Sequence, residues 1–321
     1  MRTPMRLMLW LATAVVTAAP ALAAQPPVKV DVGLSGWTGF APLTLAKEAG
    51  IYARHGLDVT LRMIPQKDRH LALASKAIQC TATSVESWII WNATGIRTKQ
   101  LFKMDQGMGS DGIVARPGIE KVTDLKGRTV AVSAPGTNPY FALSWILKKN
   151  GMSMRDVKLV TLEPGPAANA LLAGSAGLDA AMTYEPYIGV FRQKAGAGKL
   201  IASSLQYPAV FDSFGCTPQF IDANPQAVKA LVDSYFEALD LIAKDRTRAF
   251  TIMGAGVKQT AAQFEQSQST LKWADREANR KFFGGELQQF NREAAALLLE
   301  AGTIRAIPDL DALADPRFIG P

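Results

Sequence analysis

The stretch Gly177-Leu178-Asp179-Ala180-Ala181-Met182-Thr183-Tyr184-Glu185-Pro186 decides how the rest of the chain is interpreted. Its centre, Leu178 to Thr183, is short and mostly apolar, which is typical of a buried parallel strand. Pro186 cannot continue a strand but suits the first turn of a helix. The polar tip lies at the carboxyl end of the strand, where open α/β sheets bind small ligands. An ordinary strand-to-helix loop with a capping residue fits the pattern as well.

The first 23 residues predict a signal peptide that is removed on export. Arg2 and Arg6 form the positive start, Leu7 to Val16 the apolar run, and Ala21-Leu22-Ala23 a small-x-small cleavage pattern. The apolar run is shorter than a membrane-spanning helix requires. We therefore expect cleavage near Ala23 and an exported protein.

The length and charge of the chain narrow the class of protein. About 300 residues remain after cleavage, more than one hydrophobic core usually supports, so two lobes are expected. The formal net charge is +7, but the basic residues are scattered among acidic ones along the whole sequence. No basic patch of the kind that binds nucleic acid is predicted.

Short apolar runs alternate with helical patterns in two successive cycles. The first cycle runs from Val28 to Ala115, and the second from Thr129 to the likewise apolar segment Lys199 to Ala202. Such alternation predicts parallel sheets covered by helices. After Pro225 the pattern changes to long helices, which we expect to pack on the first lobe.

Four motifs, in a fixed order, resemble those of one protein family. They are Ala46-Lys47-Glu48-Ala49-Gly50-Ile51-Tyr52-Ala53-Arg54-His55-Gly56-Leu57-Asp58-Val59, Asp111-Gly112-Ile113-Val114-Ala115, Val122-Thr123-Asp124-Leu125-Lys126-Gly127-Arg128-Thr129-Val130-Ala131, and the opening stretch. With them the chain, from Val28 to about Pro316, resembles the solute-binding proteins of ABC importers in the nitrate/sulfonate/taurine group. Binders of thiamin-pyrimidine precursors share this fold group.

The resemblance implies an α/β, two-lobed periplasmic-binding-protein fold of type II (Venus flytrap), with parallel-dominated sheets and a helical C-terminal tail. It divides the chain into a signal peptide (1–23), the first part of lobe 1 (28–115), lobe 2 (116–212), and a return to lobe 1 with the C-terminal helices (213–321). It further implies a periplasmic monomer without a cofactor. Its partners would be a small-molecule ligand, held between lobes that close by a hinge motion, and an ABC permease in the inner membrane.

The resemblance places the ligand-binding residues in loops at the carboxyl ends of strands. The expected residues are Trp37, Thr38, Ser84, Glu86, Asp105, Ser133, Thr137, Asn138, Thr183, Tyr184 and Glu185. For several of them a structural role fits equally: Ser84 as a helix cap, and Asp105 as a brace of the hinge. Asp111 is expected at the hinge, where acids commonly satisfy turn amides.

These loop tips carry acids, namely Glu86, Asp105, Asp111 and Glu185, and no Arg or Lys. A buried carboxylate is costly unless it is paired. We therefore expect a ligand with amine, amidine or urea N–H groups, a pyrimidine-like ligand, or an aminosulfonate such as taurine, with aromatic rings stacking on its planar or cationic part.

The two cysteines, Cys80 and Cys216, leave two alternatives open: one disulfide, which export permits, or two buried thiols. The alternative function is an enzyme of the same fold, desulfinase-like or pyrimidine-synthase-like, that uses Cys80. The apolar neighbours of Cys80 raise rather than lower a thiol pKa. We find neither a His-rich metal cluster nor a nucleophile elbow in the sequence, so we expect a protein that is not an enzyme.

Overall fold

Residues 26–320 are described by a computed structural model, and the predicted signal peptide lies outside them. The described strands are β1 Val28–Leu34, β2 Leu57–Met63, β3 Cys80–Ser84, β4 Lys99–Gly107, β5 Asp111–Ala115, β6 Thr129–Val132, β7 Lys158–Thr161, β8 Ala180–Tyr184, β9 Lys199–Ser203, β10 Phe211–Cys216 and β11 Leu271–Trp273. The described α-helices are α1 Ala41–Glu48, α2 Ile51–Arg54, α3 Gln66–Ala74, α4 Val85–Ala93, α5 Asn138–Lys149, α6 Pro164–Leu172, α7 Tyr187–Gln193, α8 Pro218–Ala223, α9 Pro225–Lys244, α10 Arg246–Gly256, α11 Ala261–Gln268, α12 Arg276–Lys281 and α13 Leu287–Glu300.

The strands form two separate sheets, one for each lobe. The first has the order β11-β4-β10-β3-β1-β2 and the second the order β7-β6-β8-β5-β9. Within the first, β1 pairs in parallel with β2 and β3; within the second, β6 pairs in parallel with β7 and β8. These two parallel triplets are what the alternating pattern of strands and helices predicts, and the two-lobed α/β fold is confirmed.

The prediction of parallel-dominated sheets is wrong, because both sheets are mixed. In the first sheet β10 runs antiparallel to β3 and β4, and β11 runs antiparallel to β4. In the second sheet β5 runs antiparallel to β8 and β9. The physical reason is the connection between lobes: the chain leaves the first sheet along β4 and returns along β10, so these neighbouring strands must point in opposite directions.

The crossings between the sheets also differ from the expected division of the chain. β5 was expected in lobe 1, but it pairs in the second sheet from Asp111 opposite Tyr184 to Ala115 opposite Ala180. Asp212 was expected in lobe 2, but it pairs with Ser84 in the first sheet. An apolar strand pattern shows that a strand is buried but not which sheet it joins. The chain therefore crosses from the first sheet to the second at residues 108–110 and returns at residues 204–210.

The C-terminal helices share one hydrophobic core with the first sheet, as predicted. Trp88 and Phe102 from the sheet side and Tyr235, Phe250 and Phe264 from the helices are buried in this core. The two faces of the second sheet carry two smaller cores. Among residues 26–320 there is no helix with both the length and the apolar composition needed to cross a membrane.

A disulfide joins Cys80 and Cys216, which settles the alternative that the sequence leaves open. The two residues lie opposite each other on the neighbouring antiparallel strands β3 and β10. Both are fully buried in the core of the first lobe. The bridge therefore connects the strands that flank the excursion of the chain into the second lobe.

Candidate functional site

A cavity lies between the two sheets and has about 30 Å³ of space for water-sized molecules. One water needs about 10–15 Å³ of such space, so a larger ligand would require the lobes to separate. It is lined from the first lobe by Ser35, Trp37, Phe40, Gln66, Arg69, Ser84 and Asp212, and from the second lobe by Asp111, Asn138 and Tyr184. Most of these residues lie at or just beyond strand ends, as Ser84 does on β3 and Tyr184 on β8.

Trp37, Ser84, Asn138 and Tyr184 are the members of the expected set that line this cavity. The indole of Trp37 and the ring of Tyr184 come from opposite lobes and meet edge to face, with their centroids 5.5 Å apart. Edge-to-face pairs are a favourable arrangement of aromatic rings. The two lobes thus form an aromatic wall on one side of the cavity.

Other expected residues are buried but are not among those that line the cavity. The Thr183 hydroxyl donates to the carbonyl of Pro164 at 2.9 Å, and the Thr137 hydroxyl donates to the carbonyl of Ala134 at 2.8 Å. These bonds stabilise the backbone of the loops that carry them. Thr38 and Ser133 are also buried, and their hydroxyl groups have no partner within residues 26–320.

Glu185 was expected to bind the ligand, but it pairs with Arg192 of its own lobe. Its carboxylate also accepts the backbone N–H of Gly189 at 2.8 Å, inside helix α7. Burial raises the pKa of Glu185, while Arg192 and the Gly189 N–H oppose this shift. The acid at the tip of the opening stretch therefore belongs to a structural contact that holds α7 on β8.

Glu86 and Asp105 lie behind the cavity wall rather than in it. The hydroxyl of the cavity residue Ser84 donates to Glu86, and the indole N–H of Trp37 donates to Asp105 at 3.3 Å. Burial raises the pKa of Glu86 to about 7, although the bond from Ser84 opposes the shift. Both acids therefore orient the side chains that do line the cavity.

Arg69 is a cavity residue that the sequence analysis missed, and it corrects the expectation of a site without a basic residue. It lies in helix α3, 1% exposed. Its Nε and Nη1 donate to the carbonyls of Ile64 at 2.9 Å and Ala82 at 2.7 Å, whereas Nη2 has no partner within residues 26–320. Burial lowers the pKa of Arg69 to about 10, so the guanidinium stays charged at neutral pH.

Asp212 is the second missed residue, and it forms a group of acids with Asp105 and Asp111. Asp212 and Asp105 are direct neighbours across β10 and β4, and burial raises the pKa of Asp212 to about 7, with nearby Glu86 adding to the shift. Burial raises the pKa of Asp111 to about 8, although the Ser110 hydroxyl donates to it at 2.7 Å. Burial and Asp212 raise the pKa of Asp105 well above its usual range.

Gln66 connects the two lobes across the cavity. Its side-chain oxygen accepts the backbone N–H of Asn138 at 3.1 Å, at the start of helix α5 in the second lobe. Its amide nitrogen donates to the hydroxyls of Ser84 at 2.8 Å and Ser87 at 2.9 Å in the first lobe. Gln66 and Arg69 are three residues apart on α3, a spacing that places both side chains on one face of a helix.

The site therefore offers both hydrogen-bond donors and carboxyl acceptors to a small molecule, with aromatic rings beside them. In the part of the chain that the structure describes, no cluster of three or more His, Cys, Asp and Glu side chains has the arrangement of a metal site. The sequence contained one signal for the missed acid: Asp212 stands inside the apolar strand β10, where an ionisable residue requires a reason.

Several known proteins are similar to this chain. A Brucella abortus (strain 2308) protein, provisionally named as a binding protein, is 27% identical over 249 residues, which cover 76% of each chain. The alkanesulfonate-binding protein SsuA from Xanthomonas axonopodis pv. citri, bound to MOPS, is 18% identical with a TM-score of 0.75, over 91% of this chain and 100% of that one.

Two further solved structures share the fold but are named for different functions. The nitrate-binding protein NrtA from Synechocystis PCC 6803 is 17% identical with a TM-score of 0.71, over 89% of this chain and 84% of that one. The desulfurization enzyme DSZB is 18% identical with a TM-score of 0.65, over 91% of this chain and 97% of that one. At such identities the likeness shows the fold alone.

A match between the sequence and a family profile identifies the family of this chain. The profile of the family described as NMT1/THI5 like matches residues 37–249, more than half of the 321-residue chain. The matched segment includes every residue that lines the cavity except Ser35. The chain belongs to the NMT1/THI5-like family.

Proposed function

We propose that this protein is the periplasmic solute-binding component of an ABC importer. It captures one small nitrogen- or sulfur-containing organic molecule between its lobes and delivers it to a permease in the inner membrane. The proposal is supported by the family and by structural neighbours named as periplasmic or sulfonate- and nitrate-binding proteins. The lobes of this proposal follow the two sheets, with the crossings at residues 108–110 and 204–210.

The observation that carries the proposal is the composition of the cavity wall. Both lobes contribute polar side chains to it, and the charged Arg69 and the acids Asp111 and Asp212 face it without an ion pair among themselves. Buried ionisable groups without a partner are costly to charge, and a bound ligand of opposite charge would offset that cost. The ligand classes in keeping with this wall are amines, amidines, ureas, pyrimidines and aminosulfonates.

The alternative is an enzyme that uses Cys80 as a nucleophile, but Cys80 is not a free thiol. A thiolate is required for such chemistry, and the sulfur of Cys80 is bonded to Cys216. Cys80 is also fully buried and is not among the cavity residues. A likeness to a desulfurization enzyme remains at the level of the fold. We therefore propose binding without catalysis.

Small-angle scattering combined with native mass spectrometry tests the proposed function. The mature chain, freshly purified, should carry one small molecule per monomer. Removal of that molecule by partial unfolding and dialysis should increase the radius of gyration, because the lobes separate, and its return should reverse the change. A mature chain that carries no small molecule, and whose radius of gyration stays constant in the presence of periplasmic extract, would contradict the proposal.

A further inference from the structure

We propose that the ligand is dipolar, with an oxygen-bearing acceptor end held by Arg69 and an N–H-bearing, positively charged end held by Asp111 and Asp212. This inference rests on the proposed function and names the chemistry of its ligand. It assigns Arg69 as a binding residue, which reverses the expectation from the loop tips that the site holds acids alone.

The acceptor end is assigned to Arg69 because one of its nitrogen atoms is left free at the cavity. Two of the three guanidinium nitrogens donate to the carbonyls of Ile64 and Ala82, which fix the plane of the group. The third, Nη2, is buried and has no partner within residues 26–320, and the Arg69 side chain lines the cavity. A guanidinium that is already oriented binds carboxylate, sulfonate or carbonyl oxygen with a small loss of conformational entropy.

The cationic end is assigned to the acids because none of the described basic side chains forms an ion pair with them. Asp111 and Asp212 are 3% and 5% exposed, and both line the cavity. Within residues 26–320 neither forms a salt bridge, although several other acids of the chain do. A ligand ammonium or amidinium would supply the missing positive charge.

The aromatic residues support the same orientation of the ligand. The guanidinium of Arg69 lies over the ring of Phe40, with 5.9 Å between its carbon and the ring centroid, so Phe40 supports the acceptor end. Trp37 hydrogen-bonds to Asp105, the cross-strand neighbour of Asp212, so Trp37 stands at the acidic end. A cation bound there would lie beside the indole, which is a favourable contact.

Four probes test the proposal because each carries its polar ends on the same two-carbon unit. Taurine and β-alanine carry both ends, ethanesulfonate carries only the acceptor end, and ethylamine carries only the cationic end. Titration calorimetry of the ligand-free mature chain should show the better of the two dipolar probes binding at least about ten-fold more tightly than either single-ended probe.

Variants assign each end to its residue. Arg69→Gln should weaken the dipolar probe about ten-fold or more and change ethylamine binding less than about two-fold, because charge-assisted bonds are the strong ones. Asp212→Asn should weaken ethylamine and the dipolar probe alike and leave ethanesulfonate unchanged. The control is Arg62→Gln, an exposed arginine paired with Asp31 in the same lobe, which should change no affinity.

The outcomes separate this proposal from the proposed function. The dipolar preference in the wild-type chain decides the ligand class even if Arg69→Gln does not fold. Equal affinity for ethylamine and the dipolar probes, no binding of either dipolar probe, or a co-purified molecule that lacks one of the two ends overturns the dipolar ligand. In those cases compaction on binding of another molecule would still support the proposed function, which fails only if no small molecule is captured.

Discussion

Two buried groups of ionisable side chains in this protein contain the same chemical groups, a guanidinium and carboxyl groups, but in different arrangements. The first is the ion pair of Glu185 and Arg192, in the second lobe. The second is the cavity group, Arg69 with Asp111 and Asp212, between the lobes. In the ion pair the charges satisfy each other, whereas within residues 26–320 no salt bridge joins the arginine and the acids of the cavity group to an opposite charge. A buried ionisable side chain that has a partner of opposite charge in the protein indicates a structural role. One that faces a cavity without such a partner indicates a binding site.

The local backbone explains the difference. Glu185 precedes helix α7, and Arg192 lies on the last turn of that helix, so one short helix brings both groups together. Arg69 lies on α3, where the carbonyls of Ile64 and Ala82 accept two of its N–H groups, and Asp212 acts on it electrostatically without a salt bridge. The guanidinium of Arg192 therefore pairs with a carboxylate, whereas that of Arg69 lines the cavity.

The variant Glu185→Gln should give the largest effect, as a loss of stability. Arg192 would lose its counter-charge, and breaking a buried pair costs about 3 kcal/mol or somewhat less here, because the Arg192 side chain is 33% exposed. Urea unfolding of wild type and variant measures this difference. Glu300→Gln, whose partner Lys148 is exposed, is the matched control and should leave stability unchanged. Weaker ligand binding with unchanged stability would instead support the original expectation that Glu185 binds the ligand.

The equivalent change in the cavity group, Asp111→Asn, should have the opposite sign. Because the pKa of Asp111 is raised to about 8, the folded wild-type chain holds a proton there that the unfolded chain has already lost. Wild-type stability therefore falls as pH rises from about 4 to about 8, by at most about 1.4 kcal/mol per pH unit. An asparagine does not titrate.

The gain from Asp111→Asn should accordingly grow between about pH 4 and pH 8 and reach on the order of 2 kcal/mol. Thermal unfolding of both proteins across this range, without ligand, measures it. Ser110 can still donate to the amide oxygen, so the fold should persist. A variant that is less stable than wild type at about pH 8 would show that Asp111 is structural, like Glu185.

The comparison also shows how far the sequence could predict this molecule. The two-lobed fold was predictable because strands and helices have different periods and because Pro and Gly mark their ends, as Pro186 and Gly177 do in the opening stretch. The site was predictable where a residue stands at a strand end, as Ser84 and Tyr184 do, because all parallel strands end at one edge of a sheet.

The remaining part of the site depends on tertiary packing. Gln66 and Arg69 come from a helix, and periodicity does not tell which side of a short polar helix faces a cavity between two lobes. Asp212 comes from a return strand whose sheet the apolar pattern does not identify. The ion pair of Glu185 was not predictable from the sequence, because Arg192 becomes its partner only when α7 folds against β8.

The affinity for taurine should increase with pH in the range where the cavity acids titrate. Asp212 and Asp111 have pKa values raised to about 7 and about 8, and only their ionised forms attract an ammonium. We expect about ten-fold tighter binding at about pH 7.5 than at about pH 5.5, with protons released on binding. Glu86 and Asp105, the other acids beside them, titrate in the same direction and add to the effect.

Calorimetry in two buffers with different ionisation enthalpies measures the released protons. The Glu300→Gln variant is the control, because Glu300 is exposed, pairs with Lys148 outside the cavity and should leave the pH dependence as it is in wild type. Affinity that is constant over this range would mean that the acids remain protonated when the ligand is bound, and hence that they donate to it.

The smallest effect is expected from Gln66, which lines the same cavity but carries no charge. Its oxygen accepts the Asn138 N–H across the cleft, so Gln66→Met should remove this bond, which exists only when the lobes are closed. The variant also removes the bonds from the Gln66 amide to Ser84 and Ser87 within the first lobe, which affect stability rather than closure. A net hydrogen bond contributes about 1 kcal/mol, which corresponds to roughly five-fold weaker ligand binding through a smaller closed population.

Gln79→Met is the matched control, because the Gln79 oxygen accepts the Asp31 N–H at 2.8 Å within one lobe. The control should lose stability without losing affinity, and scattering should show a larger mean radius of gyration for ligand-free Gln66→Met alone. Equal affinity losses in both variants would mean that Gln66 supports the fold of the first lobe and not its closure on the second.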